Sequence, residues 1–151
     1  MKIEDKIKVT LKDDAQKNLL ELVAHIRALD KSGQFPITQN EENDDSGWVA
    51  ANLGFIVITG TDDFPGPWSM WIGANNIADD QASDCLKELA WKHVSPCGSC
   101  GGDCSPGVDT KIFGKNFEKT CQANLMFTNP DVETVDGMKK IIDVLAATHK
   151  A

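Results

Sequence analysis

The chain has 151 residues, the length of one ordinary domain, and we predict a single domain over residues 1–151. Its composition, 41% hydrophobic and 25% charged, is typical of a folded globular protein and argues against a fibrous repeat or a wholly disordered chain. The formal net charge of −8 argues against nucleic acid and anionic membranes as partners, because both attract clustered lysine and arginine.

Two features of the sequence bear on the compartment. The longest apolar run, residues 55–58, is far too short to cross a bilayer. The first ten residues mix both charges with isolated aliphatic side chains and lack the apolar stretch of a secretory signal. We therefore expect a cytoplasmic protein that neither spans nor binds a membrane.

The N-terminal third predicts one long helix over residues 13–31. Asp13 and Gln16 have the spacing of a capping box, and Gly33 suits the left-handed position after a helix. The apolar residues that follow recur every three or four positions, as on one helix face: Ala15, Leu19, Leu22, Val23, Ile26 and Leu29. The preceding residues, 3–11, fit a helix or an extended segment equally well.

Three short segments, 48–51, 55–59 and 68–72, predict an antiparallel meander, because turn residues separate them and no crossover helix fits between them. In the third strand, alternation places Trp68 on one face and Trp71 on the other. Together with Trp48, these side chains could line a small-molecule pocket, although a buried aromatic core is the favoured interpretation. Alternation also predicts a fourth strand at 123–128.

Two more helices complete the predicted fold. One is capped by Asp79 or Asp80 and places Cys85 on its apolar face as a core residue. The other starts at Asn129–Pro130 and carries an apolar stripe: Val132, Val135, Met138, Ile142 and Leu145. We therefore predict an α+β fold, with an antiparallel sheet of about four strands packed by three helices and a Cys-rich loop.

Four of the five cysteines lie within 25 residues, at Cys97, Cys100, Cys104 and Cys121. The Cys97-Gly-Ser-Cys100 turn, followed by Gly101, resembles the metal-binding turns of zinc ribbons and rubredoxins, in which two thiolates point at one ion. We predict that a helical turn within 111–120, anchored by Phe113 and Phe117, brings Cys121 to the other three.

The four thiolates would form a closed tetrahedral site, so we predict a structural zinc in an embedded module at residues 93–121, with no catalytic residue. Three alternatives stay open: two disulfides, an iron–sulfur cluster, or a thiol–disulfide redox enzyme that uses Cys97 and Cys100. His93, four residues before Cys97, could replace one cysteine or act as a base, although a half-buried histidine at the end of an apolar helix face is the favoured interpretation.

The second half of the chain also resembles a family of small, uncharacterised bacterial proteins. The resemblance covers about the last 60 residues and is carried by Trp91, Cys97, Cys100, Cys104, Pro106, Gly107, Ile112, Gly114, Lys115, Phe117, Cys121, Phe127, Asn129, Pro130 and Asp131. It implies that the three clustered cysteines and Cys121 belong to one module, and it implies no activity.

These observations favour a binding or interaction protein over an enzyme, with a small molecule or another protein as its partner. No Ser-His-Asp arrangement, Gly-rich phosphate loop or H-E-x-x-H pair is present in the sequence.

Overall fold

The computed structural model describes residues 1–40, 46–63, 65–74, 77–78, 82–96 and 107–150. The helices in these ranges are α1 (Ile3–Thr10), α2 (Asp13–Leu29), α3 (Asp84–Lys92) and α4 (Val132–Lys150). The strands are β1 (Ile37–Gln39), β2 (Gly47–Ala50), β3 (Gly54–Ile58), β4 (Trp68–Ile72), β5 (Val94–Pro96), β6 (Val108–Ile112) and β7 (Lys115–Thr128). They form one sheet in the order β1-β2-β3-β4-β7-β5, with β6 also paired to β7, and all these pairs are antiparallel.

The α+β class is confirmed, but the predicted sheet of about four strands and three helices is wrong. The predicted meander corresponds to β2, β3 and β4, and the predicted fourth strand is the second half of β7. The sheet is larger because β1 and β5 are three residues long, too short to show an alternating pattern, and because β6 and the first half of β7 form a further hairpin.

That hairpin contradicts the predicted helical turn within 111–120. Ile112 pairs with Lys115, so the connection is the two-residue loop Phe113–Gly114, and both residues have positive φ, 47° and 83°. Positive φ at both loop positions is the geometry that matches the twist of paired strands. Phe113 is buried at this turn, and the i, i+4 helical arrangement of Phe113, Phe117 and Cys121 does not exist.

The first two helices are joined by a side chain that the sequence pattern had assigned to a capping box. The Nε2 of Gln16 donates to the carbonyl oxygen of Leu11 at 2.8 Å and to that of Lys8 at 3.3 Å. Asp13 is the first residue of α2, and the preceding Lys12 makes no side-chain cap. Gln16 therefore satisfies carbonyls at the end of α1, the helix that residues 3–10 do form.

The later helices are capped by residues other than the predicted ones. The Ser83 Oγ accepts from the backbone N–H of Leu86 at 3.3 Å, and Asp79 and Asp80 lie outside the described residues. At α4 the Asp131 carboxylate accepts from the backbone N–H of Thr134 at 2.8 Å, and this hydrogen bond lowers the pKa of Asp131.

One hydrophobic core lies between the helices and one face of the sheet. Its central cross-strand row is Trp48, Ile56, Met70 and Phe127, each no more than 2% exposed. The predicted stripe of α4 is confirmed at Val135, Met138, Ile142 and Leu145, whereas Val132 is 50% exposed. The apolar residues that define the predicted face of α2 pack against the same core.

Cys85 is exposed, which contradicts its predicted core position. The face that α3 buries is defined by Leu86 and Ala90, one helical turn apart. Cys85 precedes Leu86 by one residue, about 100° around the helix, and so points away from that face. Among the described residues, no helix combines the length and the hydropathy needed to cross a membrane.

Candidate functional site

Thr120 of β7 is the residue at which the strands before and after residues 97–106 converge. Pro96, the last residue of β5, and Val108, the first residue of β6, both have Thr120 as their Cα partner. The Thr120 hydroxyl donates to the carbonyl oxygen of Val108 at 3.1 Å, and the residue is 2% exposed. The described strands that precede and follow residues 97–106 therefore both pair with β7 at this residue.

Cys121 follows Thr120 directly and is half-buried. The strand around it is irregular, because the register of β7 shifts against both β5 and β6, and Lys119 has a φ of 55°. The backbone N–H of Lys119 donates to the Asp109 carboxylate at 3.0 Å, which holds this part of β7 to β6. Such bulges change the direction of side chains locally, and they often occur beside functional sites.

The other three predicted ligands, Cys97, Cys100 and Cys104, lie outside the described residues, so the structure does not test whether the four sulfurs converge. Within the described ranges, no group of three or more His, Cys, Asp or Glu side chains is placed to hold a metal ion. Cys121 is thus the single member of the predicted set whose surroundings are visible.

His93 is fixed at the end of α3, away from Cys121. Its Nδ1 lies 2.8 Å from the carbonyl oxygen of Leu89 and so carries the proton, because a carbonyl can only accept. The ring stacks on Phe127 with 4.4 Å between centroids. The His93 carbonyl accepts from the N–H of Met126, which is five residues along β7 from Cys121. A half-buried histidine at the end of the helix is the arrangement observed, and its contacts are with the core.

The sheet face opposite the helices, which we call the open face, carries a second row of apolar side chains. Cross-strand pairing aligns Val49, Phe55, Trp71 and Met126 in it. Val49 and Phe55 are 37% and 36% exposed, and Met126 is half-buried. The rings of Phe55 and Trp71 stack with their centroids 5.0 Å apart and their planes 10° from parallel. The exposed part of this row is therefore its β2–β3 end, at Val49 and Phe55, whereas Trp71 is buried.

The three tryptophans of the meander divide between the two faces. Trp48 and Trp68 belong to the core, as the favoured interpretation predicted. Trp71 is 7% exposed, yet it is the one buried hydrophobic residue of the described chain that lies outside the core cluster. It lies on the open face, where its ring stacks with that of Phe55.

A recess opens beside Phe55 at the turn between β2 and β3, and we call it the Phe55 recess. Its volume is about 490 Å³. The described residues that line it are uncharged: Asn40, Val49, Ala50, Asn52, Leu53, Gly54, Phe55, Gly73 and Ala123. Mostly apolar walls with a few polar groups are typical of small-molecule sites of this size.

The sequence contained a usable signal for this surface. Phe55 and Val57 alternate with Ile56 and Ile58, so one face of β3 had to present an aromatic ring away from the core. The sequence predicts a strand over this run, but the pairing of Phe55 with Trp71 depends on the register of β3 against β4, which the sequence alone does not specify.

Comparison of the chain with protein-family models, with curated proteins and with solved structures finds no match. The resemblance of the second half to a family of small bacterial proteins therefore stays a prediction. The functional argument rests on the residues of this chain.

Proposed function

We propose that this chain is a non-enzymatic, cytoplasmic binding protein in which Cys97, Cys100, Cys104 and Cys121 hold one structural zinc ion. The observation that carries the proposal is the shared register at Thr120. Pro96 and Val108 flank that residue from opposite sides, and Cys121 is its neighbour in β7.

The spacing between paired strands supports a site in which Cys97, Cys100 and Cys104 come close to Cys121. Paired strands lie about 4.8 Å apart, so the residues that bracket 97–106 are both within about one strand spacing of Thr120. Cys97 directly follows Pro96, and consecutive Cα atoms are about 3.8 Å apart. A ten-residue segment anchored at both ends beside Cys121 needs no long excursion to bring its cysteines to the fourth one.

The chemistry of the donor set favours zinc in a structural role. Four thiolates with Zn–S bonds of about 2.3 Å complete a tetrahedral shell and leave no position for water or substrate. Free thiolates also require a reducing compartment, which is why the proposal includes a cytoplasmic location. His93 is not part of the proposed set, because its ring packs on Phe127 and its Nδ1 bonds to Leu89.

The binding half of the proposal is supported by the open face. Val49 and Phe55 expose apolar surface next to a recess of about 490 Å³, on a sheet whose other face is filled by the core. A small molecule or a protein could cover this surface. Nucleic acid is excluded from the proposal on charge, since the chain carries 23 acidic and 15 basic residues.

The test is elemental analysis of the full chain, purified anaerobically without added metal. We expect one zinc per chain, lost in Cys121→Ser and retained in Cys85→Ser, since Cys85 is exposed on α3. Iron with acid-labile sulfide would overturn the zinc assignment in favour of a cluster. Two further results would overturn the structural role of zinc altogether. One is a metal-free protein with two disulfides, and the other is disulfide-reductase turnover through Cys97 and Cys100.

A further inference from the structure

We propose that Trp91 and Phe117 form a binding site for a small quaternary ammonium compound, and that Lys115 of the same chain occupies this site when the ligand is absent. We call the pair of rings the ammonium site. The proposal rests on the proposed binding function, but it is independent of the zinc and of the open face. It follows from three observations: two fixed aromatic rings, a cation that lies over both of them, and the sign of the net charge.

Two neighbouring elements each supply one ring of the ammonium site. Trp91 lies on α3, and its Nε1 donates to the carbonyl oxygen of Ile112 at 2.7 Å, which fixes the indole. Phe117 lies on β7, where its backbone pairs with Thr110 of β6. Both side chains are half-buried and pack against the core. The site is therefore preformed, and a ligand can use it at little cost in side-chain conformational entropy.

The structure shows one alkylammonium group at this site, that of Lys115. Its Nζ lies 5.3 Å from the centroid of the Trp91 ring and 5.5 Å from the centroid of the Phe117 ring. A cation within about 6 Å of a ring centroid is attracted by the negative face of the ring. Lys115 and Phe117 are two residues apart on β7, so their side chains leave the same face of the strand. The two rings thus already accommodate the head group of the proposed ligand class.

Lys115 is an occupant that a free ligand can displace. The residue is exposed, so its side chain can move into water without disturbing the core. A primary ammonium is strongly hydrated and gains only a modest attraction from aromatic rings at an exposed site. A quaternary ammonium has the same charge behind methyl groups, so it loses less hydration when aromatic rings replace water, and aromatic cages recognise such groups. Lys115 therefore acts as an internal competitor that a quaternary ammonium can outcompete.

The charge of the protein favours a cationic ligand. The chain has a net charge of −8, which raises the concentration of cations near its surface. An anion would meet both this field and the negative faces of two rings. Among small ligands, a weakly hydrated cation is the class that the rings and the field both attract.

The experiment is a titration of the isotope-labelled full chain with choline, followed by the indole N–H signal of Trp91 and the amide signal of Phe117. The matched ligand control is the neutral carbon isostere of choline, in which a tert-butyl group replaces the trimethylammonium group. We expect saturable shifts with choline and none with the isostere, because the two molecules share a shape and differ in charge.

Three variants test the roles of the side chains. Lys115→Ala removes the internal competitor and should tighten choline binding about fivefold. Lys111→Ala is the matched control, because Lys111 is exposed on the same hairpin and its loss changes the net charge equally. Phe117→Leu, added to Lys115→Ala, should weaken choline binding about fivefold, since one of the two rings is lost. Near-UV circular dichroism checks that each variant folds.

Several outcomes would overturn the proposal: equal binding of choline and its isostere, equal affinities of wild type and Lys115→Ala, an equal gain in Lys111→Ala, or no saturable shift in Lys115→Ala. Shifts at Phe55 in place of Trp91 would assign choline to the open face, which overturns this site and leaves the proposed binding function intact. Zinc content measured on the same sample separates each of these results from failure of the metal assignment.

Discussion

Gly54 lies opposite Ile72 where β3 pairs with β4, and no side chain fits there. A Cβ at this position would meet the Trp71 carbonyl oxygen at 1.8 Å and the Ile72 Cα at 3.0 Å. Both are backbone atoms of the paired strand, so they cannot move aside as a side chain could. The contact explains a glycine that the sequence pattern indicated only as part of a turn.

We predict that Gly54→Ala lowers the free energy of unfolding by roughly 3 kcal/mol, because it forces β3 and β4 apart. Chemical denaturation measures the change. Gly33→Ala is the control: Gly33 has a φ of 76° but nothing within 4 Å of its added Cβ, so backbone strain alone should cost about 1 kcal/mol. Equal losses in the two variants would contradict the steric explanation.

Ser69, on the open face beside Trp71, has a buried hydroxyl without a visible partner. It is 0% exposed, and its Oγ makes no hydrogen bond within the part of the chain that the structure describes. Thr120 offers the opposite case, since its buried hydroxyl donates to Val108. An unpaired buried hydroxyl loses its hydration without compensation, whereas a paired one does not.

We therefore predict that Ser69→Ala leaves the free energy of unfolding unchanged or raises it by up to about 1 kcal/mol. Thermal unfolding measures the change. Thr120→Val should lower stability by about 1 kcal/mol, because it removes the buried hydrogen bond to the Val108 carbonyl. Destabilisation of Ser69→Ala as large as that of Thr120→Val would indicate that the Ser69 hydroxyl has a partner after all.

At the scale of elements, the long helices and the central strands were predictable because their patterns extend over many residues. The stripe of α4 and the face of α2 recur over four or more turns, and tertiary packing agrees with them. The ends of elements were not predictable to the same degree. Asp13 with Gln16 and Asn129–Pro130 both have capping patterns, yet Gln16 bonds back to α1 and the cap of α4 is Asp131. Which of several polar residues caps a helix depends on the neighbouring chain.

The ion pair between α1 and α2 gives an element-scale prediction. The Glu4 carboxylate accepts from the Nε of Arg27 at 3.0 Å and from an Nη at 3.4 Å. Partial burial alone would raise the pKa of Glu4, but the hydrogen bond and charge of Arg27 outweigh it, and the pKa lies below its ordinary value of 4.5. A carboxyl with a lowered folded-state pKa stabilises the fold above its unfolded-state pKa, and this contribution is lost as the pH falls through the folded-state value.

We expect Glu4→Gln to lower stability by roughly 0.5 kcal/mol at neutral pH, since the pair is partly exposed, and to have little effect at a pH well below 4.5. Urea unfolding at a series of pH values measures the difference. Glu88→Gln, at an exposed position of α3, serves as the control. A constant difference between wild type and Glu4→Gln across the series would show that the carboxylate charge is not the cause.

At the scale of the whole molecule, the two faces of the sheet separate what the sequence predicts well from what it does not. The core face follows from hydrophobicity and alternation, as Trp68, Met70 and Ile72 show. The open face depends on cross-strand register, since Phe55 meets Trp71 only when β3 and β4 pair in one alignment. The cysteine pattern identified a set of residues, but the segment that leads to Cys121 is a hairpin rather than the predicted helical turn.

The pairing of the strands also predicts which part of the molecule depends on the proposed zinc. Residues 97–106 connect β5 to β6, and both strands meet β7 at Thr120, whereas the core row from Trp48 to Phe127 lies on other pairings of the sheet. Removing the metal should therefore loosen the end of the β6–β7 hairpin at Val108 and Thr120 before it affects the core row. The other end of the hairpin is anchored by Ile112 and Phe113, which belong to the core.

We expect hydrogen exchange on the full chain to accelerate about tenfold, or 1.4 kcal/mol, at the amides of Thr110 and Phe117 after zinc is removed with a chelator. The amides of Ile56, Met70 and Phe127 should keep their rates, because these residues belong to the β3–β4 and β4–β7 pairings, which do not include β5 or β6. Cys121→Ser should reproduce the pattern without chelator, and Cys85→Ser should not. A uniform acceleration across both groups of amides would show that the metal supports the global fold, and unchanged hairpin amides would show that it supports neither.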